Sequence, residues 1–307
     1  MKRKFISFSI ILFFFLMLLF PKAVFAGASN GLLLWYQIVL PTLFPFLSTS
    51  NLLLNTGSIQ ILTDAFGKIT SLLFRVSPNA AFVIIVGFLC GYPMGAKMAA
   101  DMTECGYLSK KEGEYLLSFS NNSSPGFILN FVVFKSLKQQ ELAWPTMIIL
   151  MLSPIIVSFF TRRKLQQQHQ KKTISIPKKT WNFEELDRSI IDSFQILIKV
   201  GGYIILFSVI IVLLKQFFSE QTEIICLLSS LEITSGIQMI SKLDLRFELK
   251  YILTLGLTAF GGWCSVAQTQ CVIQKAEFRI IPYIIEKLAA SATASLLGFI
   301  YLFLRNL

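Results

Sequence analysis

Long apolar stretches alternate with short polar ones along the whole chain. Positions 5–21, 23–63, 76–96, 142–161, 251–274 and 288–304 contain no Asp, Glu, Lys or Arg. Most are long enough, or nearly so, for a helix of roughly 20 residues crossing hydrocarbon. The chain between 81 and 130 adds a second feature. Its apolar runs are interrupted by GYPMG at 91–95 and by NNSSPG at 121–126. In water these would be ordinary turns. Hydrocarbon offers freed N–H and C=O groups no partner, so broken backbone at that depth survives only where protein covers it or a wet cavity meets it. Discontinuous helices of this kind build the solute sites of many secondary transporters.

The pattern predicts an all-α polytopic membrane protein. Residues 1–26 begin MKRK, run apolar from Phe5 to Phe20, and reach Val24-Phe25-Ala26, which suits either a cleaved secretory signal or an uncleaved first helix. A span follows at 32–54, kinked by Pro41 and Pro45, and then an interfacial amphipathic helix at 57–75. Residues 79–105 have too few apolar residues before Gly91 to cross, so a re-entrant hairpin turning at Gly91–Gly95 is expected, with Lys97 near its tip. A span broken by NNSSPG covers 110–137, and 141–161 crosses back. After a basic loop come an amphipathic segment at 183–198, a span at 200–218 and a short apolar piece at 222–240 holding Glu232. A long span at 247–275 interrupted by Gly261-Gly262 and a last span at 281–304 complete seven or eight spans and two hairpins.

Composition agrees. Only 15% of the 307 residues are charged and 54% are hydrophobic, against about 25% charged in soluble domains, and the mean hydropathy is +0.65. The net charge of +11 would suit nucleic acid if it were spread over one face. Instead Arg162, Arg163, Lys164, Lys171, Lys172, Lys178, Lys179 and Arg188 cluster between two apolar spans. That is the positive-inside pattern, with the cluster against the anionic lipid of the bilayer, and it argues against a nucleic-acid partner. The five cysteines form no CxxC pair and His169 is the only histidine, so neither a structural metal nor a Ser-His-Asp enzyme is expected. No GxxxxGK[ST] is present, so direct ATP use is not expected, and no cofactor is implied beyond a coupling H+ or Na+.

The chain lays over itself. Tyr36-Gln37-Ile38-Val39-Leu40 resembles Phe194-Gln195-Ile196-Leu197-Ile198, and Gly113-Glu114-Tyr115-Leu116-Leu117 resembles Leu249-Lys250-Tyr251-Ile252-Leu253. At that second shift the break at Asn122–Gly126 falls on Thr258–Gly262, and with a small gap Gly95-Ala96-Lys97-Met98 falls on Gly236-Ile237-Gln238-Met239. This predicts a signal-like first helix at 1–26, a first repeat at 27–161, the basic cytoplasmic loop at 162–182 and a second repeat at 183–307. The first copy crosses three times, so the second is inverted, which points to the repeat interface as the binding site.

The candidate solute-binding residues follow from that interface. Gly91, Tyr92, Pro93, Gly95 and Lys97 come from the first hairpin, and Asn121, Asn122, Ser123 and Ser124 from the first break. Glu232, Thr234, Ser235 and Gln238 come from the second hairpin, and Ser265 and Gln268 follow the second break. Carboxamides and hydroxyls suit a polar, hydrogen-bonding solute. Free N–H groups at half-helix starts would favour an anionic group, and Lys97 would add a full charge. Glu232 would face Lys97 or carry the coupling ion. The same polar groups would also serve simply to bond neighbouring helices.

GFLCGYPMGAK, NNSSPGF and the later E-x-T-x-G of Glu232, Thr234 and Gly236 together resemble the YlbJ family of sporulation integral membrane proteins, also called SpoVV. The resemblance covers roughly residues 31–300. It implies the nucleoside-recognition Gate domain shared with concentrative nucleoside transporters, a multi-pass place in the mother-cell membrane around the forespore, and transport of dipicolinic acid. A non-transporting sporulation scaffold and a nucleoside transporter are the alternatives, with assembly as a homo-oligomer left open. One departure is Trp263, which stands where a small residue is expected and would narrow the cavity.

Overall fold

The computed structural model describes residues 2–162, 182–218 and 221–305, so most of the basic loop at 162–182 lies outside the described residues. No strand occurs among them. Helix α1 spans Lys2–Leu19 and α2 spans Pro21–Leu34. The expected boundary after Ala26 therefore falls inside α2, because Pro21 opens a new helix at a first-turn position, where its missing N–H costs nothing.

From α2 the chain stays helical to Asn55. A π turn, Trp35–Val39, precedes α3 (Leu40–Asn55). It sits just before Pro41, where the missing N–H interrupts the α ladder. Thr42 Oγ1 donates to Ile38 O at 2.6 Å and helps satisfy that turn. The amphipathic helix α4 is Ile59–Phe74. It buries Ile59, Thr63, Gly67, Thr70 and Phe74 and turns Ile61, Ile69 and Leu72 outward.

The first hairpin is α5 (Ala80–Cys90) and α6 (Met94–Glu104). The turn is only Gly91-Tyr92-Pro93, shorter than expected, because Met94 N already bonds Gly91 O and Lys97 N bonds Pro93 O. The first broken span is α7 (Lys110–Ser120), four non-helical residues, and α8 (Pro125–Phe127), which runs on as a π helix over Ile128–Leu137. Helix α9 is Ala143–Thr161.

Helix α10 runs unbroken from Phe183 to Lys215, joining what the sequence suggested were two segments. Gly201-Gly202 does not break it. At Gly201 a Cβ would lie 2.8 Å from Trp35, so this glycine lets the indole lie against the helix. The second hairpin is α11 (Thr222–Ser229) and α12 (Ile233–Lys242). The second broken span is α13 (Phe247–Phe260) and α14 (Gly262–Ile273), and α15 is Ile280–Arg305.

Among the described residues four uninterrupted stretches are long and apolar enough to cross a bilayer: Pro21–Asn55, Gln140–Thr161, Phe183–Lys215 and Ile280–Arg305. The remaining expected spans are the two broken helices and the shorter α1. Helix α10 lies along α2 and α3, while α15 packs against α13 and α9. The surface carries Phe5, Leu72, Trp144, Phe160 and Phe303, and the interior carries Ser118, Ser153, Ser158, Ser189, Ser193, Thr258 and Thr269. That distribution fits lipid, where small and hydroxyl residues let helices approach and bond while large apolar ones face outward.

The α2–α10 contact shows the mechanism. Gly27 and Gly31, four apart, lie on one face of α2, and a Cβ on Gly31 would come within 2.8 Å of Ile205 Cα. Asn51 Nδ2 donates to Ser193 Oγ at 3.0 Å, and Trp35 Nε1 donates to Leu197 O at 2.9 Å along the same seam. Gly31→Leu should cost about 1–3 kcal/mol of stability in detergent, read as a lower thermal midpoint. Gly202→Ala, where a Cβ would meet nothing within 4 Å, should leave the midpoint unchanged or slightly raised.

Candidate functional site

The first interruption forms for local reasons. Asn and Ser side chains compete with the backbone for hydrogen bonds, and Pro125 pushes Ser124 into an extended conformation. Asn122 Nδ2 takes Phe119 O at 2.6 Å, so one freed carbonyl of α7 is satisfied. Ser124 Oγ accepts from Phe127 N at 3.2 Å and caps α8. Asn121 is fully used: its Oδ1 accepts from Ala96 N at 3.3 Å, and its Nδ2 donates to Thr269 Oγ1 at 3.0 Å and to Tyr283 OH at 2.9 Å. One carboxamide thus joins α6, α14 and α15.

The second interruption depends on Gly261, whose φ of +87° ends α13 in the left-handed region. The first amides of α14 bond to the tip of the second hairpin: Trp263 N to Ser230 O and Cys264 N to Leu231 O, both at 2.8 Å. Glu232 caps α12, accepting from Thr234 N at 3.0 Å, Thr234 Oγ1 at 2.6 Å and Ser235 N at 2.7 Å. The half-helix starts that were expected to greet an anion with free N–H groups are therefore occupied by a serine, a carboxylate and two carbonyls of the chain itself.

The two interruptions touch. Tyr92 OH donates to Ala259 O at 3.1 Å, and Ser123 Oγ donates to Thr258 O at 3.1 Å. Between them opens a pocket with about 540 Å³ of empty space, its mouth included. Gly91, Tyr92, Ser123 and Ser124 line it from the first half, and Glu232, Thr234, Gly261, Ser265 and Gln268 from the second. Thr42, Val39, Val200 and Ile204 close its sides. A smaller gap with about 210 Å³ of empty space, its opening included, lies beside it, bordered by Asn122, Ser123, Ser153 and Thr258.

The other expected residues fall elsewhere. Pro93 completes the hairpin turn through a cis Tyr92–Pro93 peptide bond. Gly95 lies inside α6 and not in the turn; a Cβ there would come within 2.3 Å of Ser120 O, so it serves close packing. Asn121 is buried behind the pocket. Ser235 is buried with its Oγ unpartnered among the described residues, and Gln238 is half-buried on α12 outside the pocket. Lys97 does not reach the hairpin tip or Glu232. It sits one turn into α6, where it pairs with Asp101 and reaches Asn51 Oδ1 at 3.4 Å. Trp263 does not narrow the pocket; its ring packs edge-on against Phe260 and is 40% exposed.

The buried cation of this region is Lys287, which the sequence reading passed over. It has no exposed surface, donates to Asn121 O and Asn122 Oδ1 at 3.1 Å each, and lies 4.9 Å from the centre of the Tyr92 ring. The signal was present: a lysine inside an apolar span is costly and functional by default. Lys97 is the more conspicuous in the sequence because it neighbours the GYPMG motif.

Sporulation integral membrane protein YlbJ of Bacillus subtilis (strain 168) is 28% identical to this chain over 312 aligned positions, covering 90% of this chain and 76% of that protein. This bears out the resemblance that the motifs carry, and with the apolar helices it establishes a multi-pass integral membrane protein. No family model matches the chain. No solved structure matches it either.

Asn121→Ala should destabilise the protein by about 1–3 kcal/mol, because Ala96 N, Thr269 and Tyr283 lose a buried partner together. Gln238→Ala should stay within about 0.5 kcal/mol. Thermal denaturation of the two purified variants side by side checks the difference.

Proposed function

We propose that this member of the YlbJ family of sporulation integral membrane proteins carries a small polar solute across the bilayer. The observation that supports this reading is one pocket lined from both interruptions, with Ser123 and Ser124 on one side and Thr234, Ser265 and Gln268 on the other. Helix glue alone would need no cavity. In this reading the order of a long helix, a hairpin, a broken span and a closing helix, seen twice along the chain, reflects two inverted repeats. The hairpins are re-entrant from opposite sides, and rocking of one half against the other exposes the pocket alternately. The solute is dipicolinate by family resemblance, moved through the mother-cell membrane around the forespore, with H+ or Na+ as the coupling ion.

Glu232 has a defined part in such a cycle. Its carboxylate sits on the start of α12 and borders the pocket. An acidic solute arriving there competes for the same donors, so Glu232 acts as the internal occupant of an anion-binding helix end. Ser123, Ser265 and Gln268 orient the solute's polar edge.

Uptake into proteoliposomes across a panel of dicarboxylates and nucleosides, with and without a proton or sodium gradient, tests the reading. The wild type should accumulate a dicarboxylate, and Ser123→Ala combined with Gln268→Ala should lower uptake at least tenfold at equal protein level, mainly through KM. A wild type that moves none of these solutes overturns transport and leaves a scaffold.

A further inference from the structure

Behind the Tyr92 wall of the pocket lies Lys287, a cation to which nothing above gives a role. Its Nζ is held by a backbone carbonyl and a carboxamide oxygen, Asn121 O and Asn122 Oδ1, and lies over the Tyr92 ring. All three partners are neutral. Segments facing this part of α15 supply no acid: α9 has no charged residue, and neither do 116–124, 251–260 or 262–273. Glu286, next along α15, is half-buried and projects about 100° around the helix from Lys287. The pocket's own carboxylate is differently placed. Glu232 is offset by three donors at the start of α12, whereas Lys287 has only dipoles.

The contacts of Lys287 reach the pocket wall by two routes. Tyr92, under the ammonium, lines the pocket and bonds Ala259 O at the second interruption. Asn122, bonded to the ammonium, borders the smaller cavity, and its neighbour Ser123 lines both. While Lys287 is protonated, its charge, one side-chain layer behind a pocket wall, is poorly screened. At an effective dielectric of about 20 it changes the affinity of an ionic solute on the order of tenfold or more.

From this geometry we infer that Lys287 is the specificity-determining residue that sets the charge preference of the pocket, acting from behind the first interruption through Tyr92 and Asn122. The inference rests on the solute-pocket reading and assigns its selectivity to a residue that does not line the pocket. A solute carrying negative charge completes the neutralisation that the protein leaves undone, while a cation is repelled. Because the ammonium holds the non-helical Asn121-Asn122 segment and supports the tyrosine that bonds the second interruption, it also keeps the two walls in register.

The test is equilibrium binding to detergent-purified protein, using pyridine-2,6-dicarboxylate and its uncharged diamide, with a panel of other dicarboxylates and matching diamides. The wild type should bind the dianion at least tenfold tighter than the diamide. Lys287→Gln should bring that ratio close to one, and Lys287→Arg should hold it within threefold of wild type. Asn122→Asp, which places a carboxylate on the lysine at almost no change in shape, should also collapse the ratio and reads the same question if Lys287→Gln does not fold. A ratio unchanged in Lys287→Gln or Asn122→Asp overturns the inference. So does a parallel weakening of both ligands, which marks a lysine that only holds structure. If no member of the panel binds the wild type, the inference falls. If binding shows the pattern but liposomes show no flux, transport falls and the role of Lys287 stands.

Discussion

Everything in this fold answers to one constraint: backbone polar groups freed in the middle of an apolar bundle must find partners inside the protein. Four residues between α7 and α8 and Gly261 between α13 and α14 leave the helical ladder. Their freed backbone groups then find partners in other segments: Lys287 donates to Asn121 O, Tyr92 and Ser123 donate to the last carbonyls of α13, and the carbonyls of Ser230 and Leu231 take the first amides of α14. Hairpins are needed because they bring those partners to that depth. The long helices, with their phenylalanines and leucines turned outward, enclose the arrangement.

The constraint also explains why the pocket sits where it does. Two interruptions facing each other cannot pack as tightly as two helices, since neither offers a regular row of side chains. The remaining space is edged mostly by apolar side chains such as Leu43, Phe127 and Ile204, with a few polar groups already committed to the backbone among them. Ser123 illustrates this: its hydroxyl donates to Thr258 O and still borders two cavities.

Much of this was legible in the sequence because hydropathy and helix breakers are local signals. Pro125 after NNSS and the Gly261-Gly262 pair announced their interruptions, and charge-free windows announced the long helices. What could not be read depended on contacts between distant segments. Gly201 is needed where Trp35 lies against α10, and Gly95 looks like a turn residue but is needed where Ser120 O approaches. Lys97 has Asp101 four residues further along the same helix, a pairing the sequence itself offers, whereas only tertiary structure sets Lys287 on neutral partners. That Glu232 and two hairpin carbonyls fill the half-helix starts of the second half depends on how the second hairpin folds back.

The measurement that bears most directly on the central claim is an experimental structure of the protein in lipid nanodiscs with a transported solute bound. The account predicts density for the solute between the two interruptions, in contact with Ser123 on one side and Gln268 on the other, at mid-depth of the bilayer. Solute density on the periphery, or residues 91–93 and 121–124 standing in bulk water away from Glu232 and Gly261, would contradict it.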